Sequence, residues 1–218
     1  TVVCGTQDGG YQSLDCTDCQ TVHRIRHSCK TRLCPWCGKK ESDKFAGRFV
    51  RRMLPVTHRH VTFTIPDELW RVFHADMKLL RGLPRAAHRA FKACIEMCLG
   101  IEVVPGCMVV AHNFGRDLKE NCHPHMIVTE GGLSRDGKWV RFTYFPFVKA
   151  GKVKTTLNAL WRDEVLKLLR EHLPDTPGNM RFIRGILKRN PDGFYVHAPS
   201  KERIKTNQGA ERKAKYIT

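Results

Sequence analysis

The sequence predicts an α+β protein in which helices cover one face of a central antiparallel sheet, preceded by a small metal-stabilised module. Three observations carry this. Six cysteines (Cys4, Cys16, Cys19, Cys29, Cys34 and Cys37) precede residue 38, in a stretch with too few large apolar side chains to build a core. From residue 58 onward, β-branched runs of period two are interspersed with apolar stripes of helical period. Gly115-Arg116-Asp117 lies between two such runs, a spacing that suits a hairpin and therefore antiparallel neighbours.

At 218 residues the chain is long enough for one sizeable core and a small appendage. It opens at Thr1 rather than Met and stops at Thr218 inside a helical pattern, so a fragment of a longer protein is expected. A composition of 41% hydrophobic and 27% charged residues is that of an ordinary soluble globular protein. No apolar run approaches the roughly 18 residues of a membrane span, and no signal peptide is visible. The charge is far from ordinary: 38 Lys and Arg stand against 21 Asp and Glu, a formal +17. Residues 1–60 hold 11 basic and 5 acidic side chains, and residues 181–218 hold 10 and 3. So large and clustered an excess favours a polyanion, with nucleic acid the expected partner.

Within the cysteine segment, Cys16-Thr17-Asp18-Cys19 and Cys34-Pro35-Trp36-Cys37-Gly38 form two knuckles separated by 14 residues. That spacing suits a tetrahedral structural Zn²⁺ on Cys16, Cys19, Cys34 and Cys37. Cys4, Cys29, His23 and His27 lie close enough in sequence to leave a different fourth ligand, or a second zinc, open. Cys94, Cys98, Cys107 and Cys122 are scattered through apolar or hairpin sequence, as buried thiols are in a reducing cytoplasm. The expected organisation is a zinc-binding module over 1–40, a linking helix over 41–57 and a main domain over 58–218.

The linking helix is read from Phe45, Phe49 and Met53, with Lys44, Arg48, Arg51 and Arg52 on its other faces. A strand follows over 60–65, its Val61, Phe63 and Ile65 towards a core and its Thr62 and Thr64 on the opposite face. Leu69, Trp70, Phe73, Met77 and Leu80 mark helical sequence, as do Ala87, Ala90, Phe91, Cys94, Ile95 and Cys98, stopped by Gly100. Strands are expected over 106–114 and 122–129, with Gly131-Gly132 breaking the chain after the second. Residues 139–147 read as an irregular aromatic strand. Leu157, Leu160, Trp161, Val165, Leu168 and Leu169 give an amphipathic helix that ends before Pro174. A short strand over 194–197, a basic loop over 200–208 and a helix over 209–218 complete the reading.

On a strand, His123 and His125 project to the same side, set to grip one metal ion. They head a strand that is apolar thereafter, where imidazoles would otherwise be a poor choice, and His112 lies on the neighbouring strand. Three imidazoles leave open positions for water and a phosphate oxygen. Intrinsic affinity favours zinc, copper, nickel or iron on such ligands, whereas phosphoryl transfer would recruit Mg²⁺ or Mn²⁺.

The Thr-rich strand, the His-Pro-His strand and a tyrosine on a late helix resemble the three motifs of the HUH endonucleases. More closely, HSCKTRLCPWCGKK, HRHVTFTIPDELW, HNFGRDLKENCHPHMIVTEGGL and KYIT resemble, in that order and nearly end to end, the rolling-circle transposases of the insertion sequence ninety-one and common-region type, relatives of Helitrons. The resemblance implies an HUH-type sheet, His123 and His125 as paired ligands and His112 as the third. It implies Tyr216 as the nucleophile that becomes 5′-phosphotyrosine-linked and frees a 3′-hydroxyl. It also implies a catalytic Mg²⁺ or Mn²⁺ beside the structural Zn²⁺, single-stranded transposon-end DNA as substrate, and a nucleoid-associated place of work in a bacterial cytoplasm. Two features depart from the pattern. Pro124 occupies the middle of the histidine motif, so this strand start should be at an edge or only half paired. A second tyrosine four residues after the first would fall beyond Thr218.

The residues fit this chemistry in their own right. A phenol with a pKa of about 10 is a weak nucleophile at neutral pH and needs activation. Arg212 and Lys213 lie four and three residues before Tyr216, on its flank of the helix, with Ala210, Ala214 and Ile217 facing inward. DNA contacts are assigned to Arg212, Lys213, Thr62 and Thr64, and base stacking to aromatics such as Trp36 or Tyr144. Two rivals stand beside this reading: a zinc-containing DNA-binding regulator without chemistry, and a nuclease that uses metal-bound water and has no need of Tyr216. Oligomeric state is not legible.

Overall fold

The computed structural model describes residues 3–31, 34–115, 119–141, 152–199 and 203–217. In chain order the elements are β1 (Tyr11–Asp15), β2 (Val22–Arg26), α1 (Pro35–Arg52), β3 (His58–Phe63), α2 (Asp67–Ala75), α3 (Met77–Leu99) and β4 (Val103–Phe114). There follow β5 (Glu120–Ser134), β6 (Trp139–Arg141), α4 (Lys152–His172), α5 (Pro177–Arg189), β7 (Val196–His197), β8 (Arg203–Ile204) and α6 (Asn207–Tyr216). They form two compact units. The first comprises Thr1–Met53 with Thr206–Tyr216 and Thr218; the second comprises Leu54–Lys205 with Ile217. The boundaries expected at 40 and 57 do not coincide with this division, because α1 is continuous from Pro35 and α6 returns to pack on it.

In the first unit, β1 and β2 make an antiparallel hairpin with Asp15 opposite Val22. Tyr11, Leu14, Val22 and Ile25 are all exposed, so the hairpin has no apolar core of its own. Helix α1 begins at Pro35, six residues before the linking helix expected over 41–57, because Pro35 at the first turn has its φ already set for a helix. Buried Ala46 on α1 and buried Ala210 and Ala214 on α6 let the two helices approach closely. Lys215 Nζ lies 2.8 Å from Asp43 Oδ1, joining them at the surface. The Asp43 and Glu211 carboxylates hold the Lys215 ammonium up at about 12.

In the second unit the sheet runs β4-β5-β3-β7, with β6 on β5 and β8 on β3, and every pairing is antiparallel. The expected alternation holds on β3: Val61, Phe63 and the following Ile65 are buried in the main core. Met126 and Val128 of β5 join them, against Leu69 and Phe73 of α2, Leu83, Ala87 and Phe91 of α3, and Trp161 and Val165 of α4. Among the described residues, no helix is long and apolar enough to cross a membrane.

The break expected at Gly131-Gly132 does not occur, and β5 runs through both residues to Ser134. The glycines permit close flanking strands. A Cβ on Gly131 would fall 2.6 Å from the Trp139 ring of β6, and one on Gly132 would fall 2.6 Å from the Val104 carbonyl of β4. Beyond the β1–β2 hairpin, two elements appear that were not anticipated: α5, capped by Thr176 with Pro177 in its first turn, and the two-residue β8 inside the expected loop. The Thr-Pro pair followed by Met180, Ile183 and Ile186 was a signal for α5. Of the aromatic run over 139–147, Trp139–Arg141 form β6, while Tyr144 lies outside the described residues.

One partly buried polar link ties α4 to the residue that follows β3. The Trp161 indole donates from Nε1 to the Thr64 carbonyl at 2.7 Å, and its ring meets Phe63 edge-on. Trp161→Phe keeps most of the apolar contact and strands that carbonyl. Urea unfolding of the variant is expected to give about 1–3 kcal/mol less stability than the wild type.

Candidate functional site

Directly opposed residues of an antiparallel pair share a face of the sheet. Pairing Val61 with Met126 on the core side therefore fixes what lies on the other side: Thr62 opposite His125, and across the β4–β5 ladder His112 opposite His123. Pro124 sits where β5 is paired on one side only. The β4 ladder continues through it, opposite Ala111, while the β3 ladder ends at His125. A residue without an N–H is tolerated at such a place.

His112, His123 and His125 present ring nitrogens that all lie within 4.8 Å of one another, a spacing that can hold a metal ion. Ring centroids are 4.3 Å apart for His112 and His125, 4.9 Å for His123 and His125 and 5.2 Å for His112 and His123. Each ring is steered from behind. His123 Nδ1 donates to the Asn121 carbonyl at 2.7 Å, and His112 Nε2 donates to the Ile217 carbonyl at 3.0 Å. These bonds leave His123 Nε2 and His112 Nδ1 as the nitrogens with a lone pair to offer an ion. His125 Nδ1 is met by His60 Nε2 at 2.8 Å and Thr62 Oγ1 at 3.2 Å, which directs coordination to its Nε2. Burial lowers the pKa of His123 below the ordinary imidazole value, the Asn121 carbonyl opposing this and the neighbouring His112 adding to it. A depressed pKa keeps the ring neutral, the form a cation needs.

The thiols assemble differently from the expected quartet of Cys16, Cys19, Cys34 and Cys37. Cys34 and Cys37, at the start of α1, come together with Cys4 and Cys29. Cys4 Sγ and Cys29 Sγ lie 3.5 Å and 3.8 Å from Cys37 Sγ. A Zn–S bond of about 2.3 Å puts tetrahedral thiolates roughly 3.8 Å apart, so the set fits zinc. Contacts to the Gly5 backbone explain the exchange of partners: Gly5 N–H donates to the His27 carbonyl, and the Arg26 guanidinium donates to the Gly5 carbonyl. They draw the Cys4 loop across to Cys29. The backbone N–H of Thr31 brings the Cys29 thiol down to about 7, towards the thiolate that metals bind. Cys16 and Cys19 instead occupy the turn between β1 and β2, where Cys19 Sγ contacts Thr21 Oγ1 at 3.1 Å.

Tyr216 ends α6 with 49% of its surface exposed, while Ala210, Ala214 and Ile217 are buried, as the helical pattern requires. Lys213 Nζ lies 5.5 Å from the Tyr216 ring centroid, and Arg212 is exposed. The two threonines assigned to DNA both have protein partners: Thr62 faces His125, and Thr64 Oγ1 donates to the Tyr195 carbonyl at 2.8 Å. Trp36 is exposed, with its indole against Gly5. His60 was missed by sequence reasoning. Its place two residues before Thr62, on the histidine-bearing face, was the available signal.

A thiol quartet and an imidazole triad on one chain give two ligand sets of different chemistry, each able to hold a metal ion. Residues 106–218 match the family described as "Putative transposase", and residues 1–65 match the IS91-type family described as "Transposase zinc-binding domain". The first of these matches spans more than half of the chain, which belongs to that transposase family, of IS91 type. The chain is 32% identical over 146 residues to the transposase for insertion sequence element IS801 of Pseudomonas savastanoi pv. phaseolicola, covering 66% of this chain and 35% of that protein. It is 28% identical over 203 residues to "Putative transposase y4qJ" of Sinorhizobium fredii, covering 89% of this chain and 48% of that one. The chain thus spans half or less of the length of these relatives. Among solved structures, the conjugative relaxase TrwC in complex with oriT DNA, metal-bound, is similar with 16% identity and a TM-score of 0.33, over 71% of this chain and 63% of that chain. The family assignment rests on the sequence matches.

The ligand exchange is directly testable by zinc content. Cys4→Ser and Cys29→Ser are each expected to lose bound zinc, while Cys16→Ser and Cys19→Ser retain it. Loss of zinc from the Cys16 variant, with retention in the Cys4 variant, would restore the quartet read from spacing.

Proposed function

We propose that this transposase chain nicks and rejoins single-stranded transposon-end DNA, with Tyr216 as nucleophile and a divalent ion, Mg²⁺ or Mn²⁺, on His112, His123 and His125. The observation that carries the reading is the meeting of three imidazoles on the sheet face opposite the core. Three protein ligands leave coordination positions open, as a catalytic site needs and a structural one does not. The ion, when bound, draws charge from the non-bridging oxygens of the scissile phosphate.

The chain's own residues do the rest. The Tyr216 phenol gives up its proton and its oxygen attacks phosphorus. The new P–O bond to tyrosine forms as the bond to the 3′-oxygen breaks, and that oxygen takes a proton to leave as a 3′-hydroxyl. Rejoining is the same step in reverse by a 3′-hydroxyl. Lys213, held over the Tyr216 ring, and Arg212 supply positive charge suited to the scissile phosphate. Thr62 acts by holding His125 rather than by touching DNA, a role its hydrogen bond supports. The thiol-held module, on Cys4, Cys29, Cys34 and Cys37, stiffens a strongly basic segment suited to DNA phosphates, and exposed Trp36 suits an unpaired base.

Labelled single-stranded end DNA incubated with the protein and Mn²⁺ should yield a protein–DNA adduct that survives denaturation. Tyr216→Phe is expected to abolish both adduct and cleavage. Cleavage that persists in this variant would mean metal-bound water is the nucleophile, and no cleavage with any metal would mean a binding protein. His125→Ala should abolish cleavage while leaving zinc content at the wild-type level.

A further inference from the structure

We propose that His60 is a positioning residue for the metal centre, a tautomer lock that decides whether His125 can take an ion; this rests on the reading of the histidine triad as a metal site. His60 and His125 are both buried, at 5% and 3% exposure, and lie on adjacent strands of one sheet. Their nitrogens are 2.8 Å apart, their ring centroids 5.0 Å apart and their planes within 10°. A hydrogen-bond length plus the two ring radii accounts for that centroid separation. The rings therefore lie edge to edge, with the bond along their common plane.

Such a bond contains one proton, and two neutral imidazoles can share it in two ways. If His60 Nε2–H donates, His125 accepts at Nδ1 and carries its own proton on Nε2, the nitrogen needed for the ion. If His125 Nδ1–H donates, its Nε2 holds a lone pair and can coordinate. Ion binding at His125 thus requires His60 to accept at Nε2 and to carry its proton on Nδ1. Thr62 Oγ1, 3.2 Å from the same His125 nitrogen, offers a second, longer acceptor.

His125 differs here from its two partners. The N–H groups of His123 and His112 are directed to backbone carbonyls, which can only accept, so their tautomers are fixed by the main chain. Of the three rings, His125 is the one whose outer partners can either donate or accept. His60 is the nearer of them, at 2.8 Å against 3.2 Å for Thr62, and the affinity of the whole triad depends on which it does.

The test uses the full chain with its thiol site filled by Zn²⁺, titrated with Co²⁺ and followed by visible absorption. His60→Phe keeps the flat ring and removes the acceptor; Co²⁺ affinity is expected to fall about 10–100-fold. His60→Gln, whose amide oxygen can reach the same point, is expected to recover most of that loss. Phe binding Co²⁺ as tightly as wild type, or Gln and Phe losing affinity equally, would overturn the lock. Should the Phe variant not fold, histidine ¹⁵N NMR of the wild-type protein decides: with Zn²⁺ added beyond the thiol site, His60 is expected to be protonated on Nδ1, and protonation on Nε2 would overturn the proposal. Failure of His123→Ala to reduce Co²⁺ absorption would instead overturn the metal site itself.

Discussion

The register of β3, β4 and β5 is the constraint on which the rest of the second unit depends. Side chains of a strand alternate with a period of two, so a slip of one residue would exchange its two faces completely. Placing Val61 against Met126 in the core sets Thr62 against His125, and the β4 ladder then brings His112 to His123. Burial of apolar side chains and assembly of the imidazoles are consequences of one alignment. The energy that fixes it comes from the apolar side, where Phe63, Phe73, Phe91 and Trp161 are fully buried. The polar side receives its geometry without having to stabilise it.

The first unit solves a different problem. Its hairpin exposes its apolar residues, so four sulfur atoms take the place of a core. Metal-bound thiolates can supply folding energy to a module too small to bury enough surface. The thiol and imidazole groups therefore differ in kind: one offers four sulfur ligands and the other three ring nitrogens.

How legible each part was follows from the range of the interactions involved. The strand of Val61, Phe63 and Ile65, the His123 and His125 pair and the buried face of α6 were readable, because each depends on a local period. Zinc spacing was readable as chemistry but not as connectivity. Adjacent knuckles look like natural partners, whereas the folded-back Gly5 loop delivers Cys4 to Cys29 through one backbone hydrogen bond and one from the Arg26 side chain, which leave no trace in composition. Gly131 and Gly132 misled for a related reason. Glycine marks both a turn and a place where neighbouring strands come close, and only the positions of Trp139 and Val104 tell these apart. The assignment of Thr64 to DNA neglected the Tyr195 carbonyl, which arrives from the residue just before β7, more than a hundred residues later.

The return of α6 to α1 makes the first unit discontinuous, with all of the second unit except Ile217 inserted between the two helices. A ribosome delivers the two helices far apart in time. The second unit has all but one of its residues before α6 is made, so it can collapse early, while the inward side of α1 waits for Ala210 and Ala214. Closing so long a loop costs little more entropy than closing one half its length, since the penalty grows only logarithmically. Completion of the thiol-bearing unit is therefore a late event in the life of the nascent chain, and the helix that ends in Tyr216 is the segment that completes it.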